Sequence, residues 1–167
     1  SDALREIKER PFDIILCDYH LGDGRNGQQF LEELRSRDLI HLSEVFIMVT
    51  SEQKYTNVIA VAEYAPDDYL IKPFVSNALE QRISAAFEKK DALRAIFSAM
   101  DAKDFKKAFE ECQNYLLQGV NRYRKYVERL RAECCLRGEN YEYAAHYYEE
   151  ILAERPVAWA ELGLGKA

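Results

Sequence analysis

The sequence predicts an α/β unit with a parallel sheet, followed by an all-α segment. Three observations carry this reading. Short apolar runs alternate with helical patterns three times between residues 12 and 90, as parallel sheets with right-handed crossovers require. Between Phe74 and Gln118 there is no proline or glycine, so helix can continue unbroken. Beyond residue 100, two similar hexads recur 36 positions apart, which points to a repeated helical element.

The first element is a helix over residues 3–10, with Leu4 and Ile7 on one face and Pro11 as its stop. Phe12 to Cys17 is a nearly unbroken apolar run, read as a strand buried on both faces, and it ends on Asp18. A glycine-rich loop leads to Gly27. Gln28 to Arg37 then has helical spacing, with Phe30, Leu31 and Leu34 inward. Val45 to Val49 is a second buried strand and ends on Thr50-Ser51. A helix is expected from Glu52 to about Tyr64, broken by Ala65-Pro66. Tyr69 to Ile71 is a third short strand, closed by Lys72-Pro73.

In a parallel sheet the carboxyl ends of the strands share one edge, where open α/β folds place their chemistry. Asp18, Thr50 and Lys72 therefore converge. A carboxylate, a hydroxyl and an ammonium at one edge suit phosphoryl transfer: the carboxylate is the nucleophile, and the other two neutralise oxygens of the transferred group.

With those residues in order, segment 3–90 resembles the receiver domain of two-component response regulators, a doubly wound, flavodoxin-like fold. Asp18 matches the phospho-accepting aspartate and Thr50 the switch hydroxyl. Lys72-Pro73-Phe74 matches the lysine–proline signature, and Tyr69 the aromatic switch position. The run Asp67-Asp68-Tyr69-Leu70-Ile71-Lys72-Pro73-Phe74 and the spacing of 22 from Thr50 to Lys72 follow the family without gaps. The resemblance implies a cis peptide before Pro73, and places His20 and Glu52 beside the pocket, able to tune phosphoryl lifetime. A histidine kinase is the implied donor and Mg²⁺ the implied cofactor. Asp18 and the main-chain carbonyl of His20 are the metal ligands that match. The acidic pair of the family's first strand has no counterpart here, nor do that strand, the first helix and the second strand. Residues 1–90 therefore read as a partial receiver, expected to bind Mg²⁺ and accept phosphoryl groups weakly as it stands. Its Phe12–Cys17 strand would then be an exposed apolar edge, a liability that a second copy could cover.

Ser76 or Asn77 can cap the next helix, with Glu80 completing a box, and the pattern runs through Leu79, Ile83, Ala86 and Phe87 to Met100. One long or barely interrupted helix over 77–101, on the order of 37 Å, is expected. Residues 91–167 then carry the repeat. Lys103-Asp104-Phe105-Lys106-Lys107-Ala108 matches Glu139-Asn140-Tyr141-Glu142-Tyr143-Ala144, each opening a helix. Pro156 closes the second, and Trp159 to Gly163 opens a third. This resembles tetratricopeptide repeats, whose helix pairs present surfaces to protein or peptide partners. Arg122, Arg124, Lys125, Arg129 and Arg131 with Tyr123 and Tyr126 read as a solvated helix face over packed tyrosines, or else as a docking surface for an acidic peptide. The seven tyrosines from Tyr115 to Tyr148 read mostly as interhelix packing.

The net charge of −6 resides in residues 1–75, with 8 basic and 14 acidic groups. Residues 76–167 balance at 15 of each. No strongly basic face is available for nucleic acid. Four cysteines lack metal-site spacing and read as buried free thiols of a reducing compartment. No apolar run near 18 residues occurs, so no membrane span is expected and a cytoplasmic protein is. The functional expectation is a phosphorylation-controlled signalling protein with a protein-binding output, and not an enzyme. Two alternatives are a phosphorylation-independent scaffold, in which the receiver dimerises or docks, and an enzyme domain outside this segment.

Overall fold

The computed structural model describes residues 2–22, 24–51, 65–119 and 122–167. The helix expected over 52–64, and Glu52 with it, lies outside the described residues. The chain divides into two compact units, Ser1–Ala92 and Leu93–Ala167.

In the first unit the order is α1 (Asp2–Glu9), β1 (Ile14–Asp18), α2 (Gly27–Ser36), β2 (Val45–Thr50), β3 (Asp68–Ile71) and α3 (Ser76–Ala92). The strands form a parallel sheet in the order β1-β2-β3, with Ile14 opposite Val45 and Ile47 opposite Asp68. Strand residues alternate between faces, so each face builds its own core. On one face Cys17, Phe46 and Met48 pack with Leu31, Leu34 and Ile40, flanked by Leu4 and Ile7 of α1. On the other, Val45, Ile47, Val49 and Leu70 pack with Ala86, flanked by Leu79 and Ile83 of α3. Strand β2 is buried at all six positions because it is central and covered on both faces. Leu31 and Leu34 are fully buried, each contributing roughly 1.5–3 kcal/mol of transfer free energy.

Strand β1 is not buried on both faces as its apolar run suggests, but lies as the exposed edge expected of it. It starts two residues later than expected and only Cys17 is buried, while Leu16 is 48% exposed. The reason is position. Among the described residues β1 pairs only with β2, so a strand with a two-sided apolar pattern lies at an edge.

At the opposite end of the strands, Asp67 knots the unit together. Its backbone N–H donates to the Phe46 carbonyl at 2.8 Å, and its carboxylate accepts the Phe46 N–H at 2.9 Å. Its other oxygen lies 2.6 Å from the Lys90 ammonium of α3, both side chains being 7% exposed. Lys90 also donates to the Leu42 carbonyl. Burial lowers the Lys90 pKa, and the Asp67 carboxylate opposes that shift.

Helix α3 begins at Ser76, so Ser76 and Asn77 lie inside it, and the Leu79 N–H reaches the Val75 carbonyl. The long or barely interrupted helix expected over 77–101 is interrupted at one residue, Leu93, whose φ of −111° and ψ of 17° leave the helical region. No proline or glycine marks that break.

The second unit comprises α4 (Arg94–Asp101), α5 (Phe105–Leu117), α6 (Arg124–Arg137), α7 (Tyr141–Glu154) and α8 (Ala158–Lys166). The 36-residue period is visible in the backbone. Lys103 and Glu139 both take left-handed φ, 57° and 59°. The following residue donates to the carbonyl five back in each case, Asp104 to Ala99 at 2.9 Å and Asn140 to Cys135 at 2.8 Å. Ala108 and Ala144, the matching alanines, are fully buried, as is Ala160 of α8. Small residues let the helices approach: a Cβ at Gly163 would lie 2.4 Å from the Tyr148 ring. Cys112, Cys134 and Cys135, like Cys17, are buried free thiols. Five of the seven tyrosines are buried or half-buried, while Tyr141 and Tyr143 are exceptions to the packing expectation at 48% and 54% exposed.

Candidate functional site

The parallel register delivers the three strand-end residues to one edge. Asp18 pairs with Val49, so Thr50 stands one position beyond it on the neighbouring strand. Thr50 pairs with Ile71, and the Lys72 N–H donates to the Thr50 carbonyl at 2.8 Å. The Lys72 ammonium makes a direct ion pair and hydrogen bond with Asp18 Oδ2. The second carboxylate oxygen, Oδ1, accepts the His20 backbone N–H at 3.1 Å. The Lys72 hydrogen bond, aided by the His20 amide and opposed by partial burial, holds the Asp18 carboxyl below its ordinary value. Asp18 is thus an ionised carboxylate with the Lys72 ammonium against it. Thr50 is 1% exposed.

The loop after β1 sets the Asp18 geometry. Gly22 and Gly24 take φ of 76° and 75°, which side chains other than glycine rarely adopt. The Gly27 N–H donates to the Tyr19 carbonyl at 2.7 Å, and His20 bridges to Asn26. Asn26 caps α2 in a full capping box: its side chain accepts the Gln29 N–H at 2.9 Å, and Gln29 accepts the Asn26 N–H at 3.1 Å. A Cβ at Gly27 would stand 2.6 Å from the Asp18 carbonyl oxygen and 2.6 Å from Met48 Sδ. These positioning residues were not singled out in the sequence reading, although Asn-x-x-Gln before an apolar run is a legible signal.

Tyr69 lies opposite Met48 and packs against the Cys17–Phe46–Met48 core. Its hydroxyl is buried without a hydrogen-bond partner among the described residues. Burial, then the Asp68 charge, raises its pKa. The ring is half-buried against that core. The Lys72–Pro73 peptide bond is cis. The His20 side chain is exposed.

The resemblance assigns a cation the Asp18 carboxylate and the His20 main-chain carbonyl. No group of three or more metal-capable side chains occurs among the described residues. Mg²⁺ takes six oxygens, usually with one or two carboxylates, and Lys72 already occupies the Asp18 carboxylate. Among the described residues this donor set does not make a Mg²⁺ site by itself.

Comparison with known proteins agrees with this geometry. Residues 1–84 match the response regulator receiver domain model. The chain is 30% identical over 88 residues to the chemotaxis protein CheY-3 of Vibrio cholerae serotype O1, covering 52% of this chain and 65% of that protein. It is 31% identical over 90 residues to the chemotaxis protein CheY of Pseudomonas aeruginosa, covering 53% of this chain and 70% of that protein. The chain thus spans 65–70% of the length of these relatives. Its match over 1–84, together with Asp18, Thr50 and Lys72 at one sheet edge, places this chain in the response regulator receiver domain family.

Proposed function

We propose that this protein is a response regulator in which Asp18 accepts a phosphoryl group from a histidine kinase and thereby controls a protein-binding output made by the helical unit. The observation that carries this reading is the Asp18–Lys72 ion pair beside buried Thr50. In the transfer, an Asp18 carboxylate oxygen attacks phosphorus, the P–N bond of the kinase phosphohistidine breaks, and the imidazole leaves. The product is an acyl phosphate on Asp18. Lys72 moves from the carboxylate to the phosphoryl oxygens, and Thr50 Oγ1 hydrogen-bonds another. Mg²⁺ is proposed for the complete receiver, with oxygen ligands beyond those of Asp18 and His20. The chain is a regulatory phospho-acceptor with self-catalysed transfer and dephosphorylation, and not an enzyme with a separate substrate. The repeats are proposed to be of tetratricopeptide type, supported by the duplicated turns at Lys103 and Glu139 and the buried alanines that follow. Among the described residues no helix is long and apolar enough to cross a membrane, and a cytoplasmic setting completes the proposal.

Amide exchange of the full chain with and without acetyl phosphate tests the coupling. Exchange should change at Thr50, at Tyr69 and in α3 on phosphorylation, and Asp18→Asn should remove the change. No difference in the phosphorylated chain would overturn the coupling.

The exposed edge of β1 favours a second reading, a phosphorylation-independent scaffold in which two copies pair along residues 12–17. Light scattering decides this: Leu16→Lys should dissociate such a dimer, and a strict monomer at high concentration would refute it.

A further inference from the structure

The junction between β1 and α2 holds the one Asn-Gly dipeptide of the sequence, Asn26-Gly27. The fold calls for both residues. At Asn26 the backbone is extended, with φ −117° and ψ 163°, and the side chain accepts a helix N–H, which selects a short polar residue. At Gly27 a Cβ would stand 2.6 Å from the Asp18 carbonyl oxygen, which selects glycine. The pairing has a chemical consequence. With no side chain on the residue that follows, nothing shields the asparagine side-chain carbonyl from attack by the next backbone nitrogen.

While the junction is closed, that attack is blocked. The Gly27 N–H donates to the Tyr19 carbonyl at 2.7 Å, which holds the proton the nitrogen would have to lose. Asn26 Oδ1 accepts the Gln29 N–H at 2.9 Å, which turns the side-chain amide onto the first turn of α2. The Asn26 N–H donates to Gln29 Oε1 at 3.1 Å, and the Asn26 carbonyl accepts the Phe30 N–H at 3.2 Å, so the backbone of residue 26 is held as well. Bringing Asn26 Cγ onto the Gly27 nitrogen requires the first two of these bonds to break. Reaction is therefore confined to molecules whose junction has opened, and its rate tracks the open population.

We propose that Asn26 is a site of spontaneous covalent modification, deamidated when the β1–α2 junction opens, and that the isoaspartate product prevents the junction from closing again beside Asp18. The Gly27 nitrogen attacks Asn26 Cγ. The N–Cγ bond forms, the Cγ–Nδ2 bond breaks, and ammonia leaves carrying the proton that Gly27 lost to solvent. Water then opens the cyclic imide at one of its two carbonyls. One opening gives aspartate, which caps a helix as well as asparagine does. The other gives isoaspartate, in which the main chain runs through Cβ and Cγ and is one carbon longer. That carbon enters beside Gly27, where the space is too small even for a Cβ.

The test is peptide mapping by mass spectrometry of the full chain aged in mildly alkaline buffer, folded and in guanidinium chloride. Amide-to-acid conversion at Asn26 should proceed in the unfolded chain and about a hundredfold or more slower in the folded one. Gln29→Ala, at an exposed position, removes the acceptor of the Asn26 N–H. It should raise deamidation of the folded chain about three- to tenfold, and exchange of the Gly27 amide by the same factor. The isoaspartate form, separated from the aged unfolded chain and refolded, should exchange the Gly27 and Tyr19 amides about tenfold or more faster than Asn26→Asp carried through the same steps. Equal rates in folded and unfolded chains, or no conversion in the unfolded chain, would overturn the proposal. So would faster Gly27 exchange in Gln29→Ala with unchanged deamidation, since attack would then occur in the closed junction. An isoaspartate form as protected as Asn26→Asp would refute the effect on the junction. No readout involves a phosphoryl group, so failure here is separate from failure of the phospho-acceptor reading.

Discussion

Gly27 is where the fold constrains the chemistry most tightly, and Gly27→Ala is the sharpest perturbation of the account. The added Cβ would stand 2.6 Å from the Asp18 carbonyl oxygen, 2.6 Å from Met48 Sδ and 3.1 Å from Cys17 Sγ. Met48 is fully buried and cannot swing clear. Asp18 O belongs to the backbone of β1, so relief requires the strand end to move by roughly 0.5–1 Å. Overpacking of this kind costs about 1–3 kcal/mol. The gain in helix propensity from glycine to alanine is at most about 1 kcal/mol in a helix interior, and smaller at the first helical residue. The net expectation is a destabilisation of about 1–2 kcal/mol centred on the β1–α2 junction. Amide exchange followed by mass spectrometry reads it locally. The Gly27 N–H, bonded to the Tyr19 carbonyl, and the Tyr19 N–H, bonded to the Val49 carbonyl at 2.7 Å, should exchange about 5- to 30-fold faster in the variant. Protection equal to or greater than wild type would refute the close-approach argument.

Two further perturbations follow from buried groups. Asp67→Ala strands the Lys90 ammonium in the interior and should cost about 3–5 kcal/mol in urea unfolding of the first unit, whereas Asp67→Ala with Lys90→Met should cost less than Asp67→Ala alone. Additive losses would show that the two groups do not interact. Burial, with help from Glu133, pushes the Tyr148 hydroxyl up to about 12. A raised pKa stabilises the fold fully below the unfolded value near 10, and that contribution is lost as pH rises from about 10 to about 12. After discounting for solvent screening it amounts to about 1–2 kcal/mol. The denaturation midpoint of wild type relative to Tyr148→Phe should therefore fall between about pH 9 and about pH 12. A pH-independent difference would refute the burial argument.

The edge that brings Asp18, Thr50 and Lys72 together was legible because each strand is an apolar run ending on a polar residue, and parallel topology fixes where such ends meet. Asp18, Thr50 and Lys72 needed no contact information beyond that. The helical repeat was legible for a similar reason: Ala108 and Ala144 recur with the aromatic residues Phe105 and Tyr141 at a fixed offset. Lys90 was not legible. It reads as one more lysine in an amphipathic helix, and its burial depends on Leu42 and Asp67, far away in sequence. The break at Leu93 left no mark, since the flanking residues are all compatible with helix. Which of the tyrosines would be the exposed exceptions, Tyr141 and Tyr143, was not legible, because α7 carries aromatic residues around much of its circumference, which blurs the 3.6-residue period that separates inside from outside. The exposure of Leu16 was not legible from its apolar pattern, which edge and central strands can share, but it fits the exposed edge expected for Phe12–Cys17 once no strand flanks it.

The central claim is that the edge formed by Asp18, Thr50 and Lys72 takes up a phosphoryl group. Incubating the chain with Mg²⁺ and acetyl phosphate, then recording its intact mass beside Asp18→Asn, tests it directly. The account predicts a single phosphoryl adduct on the wild-type receiver that is absent from the variant. An adduct that persists in Asp18→Asn, or no adduct on the wild-type chain, would contradict it.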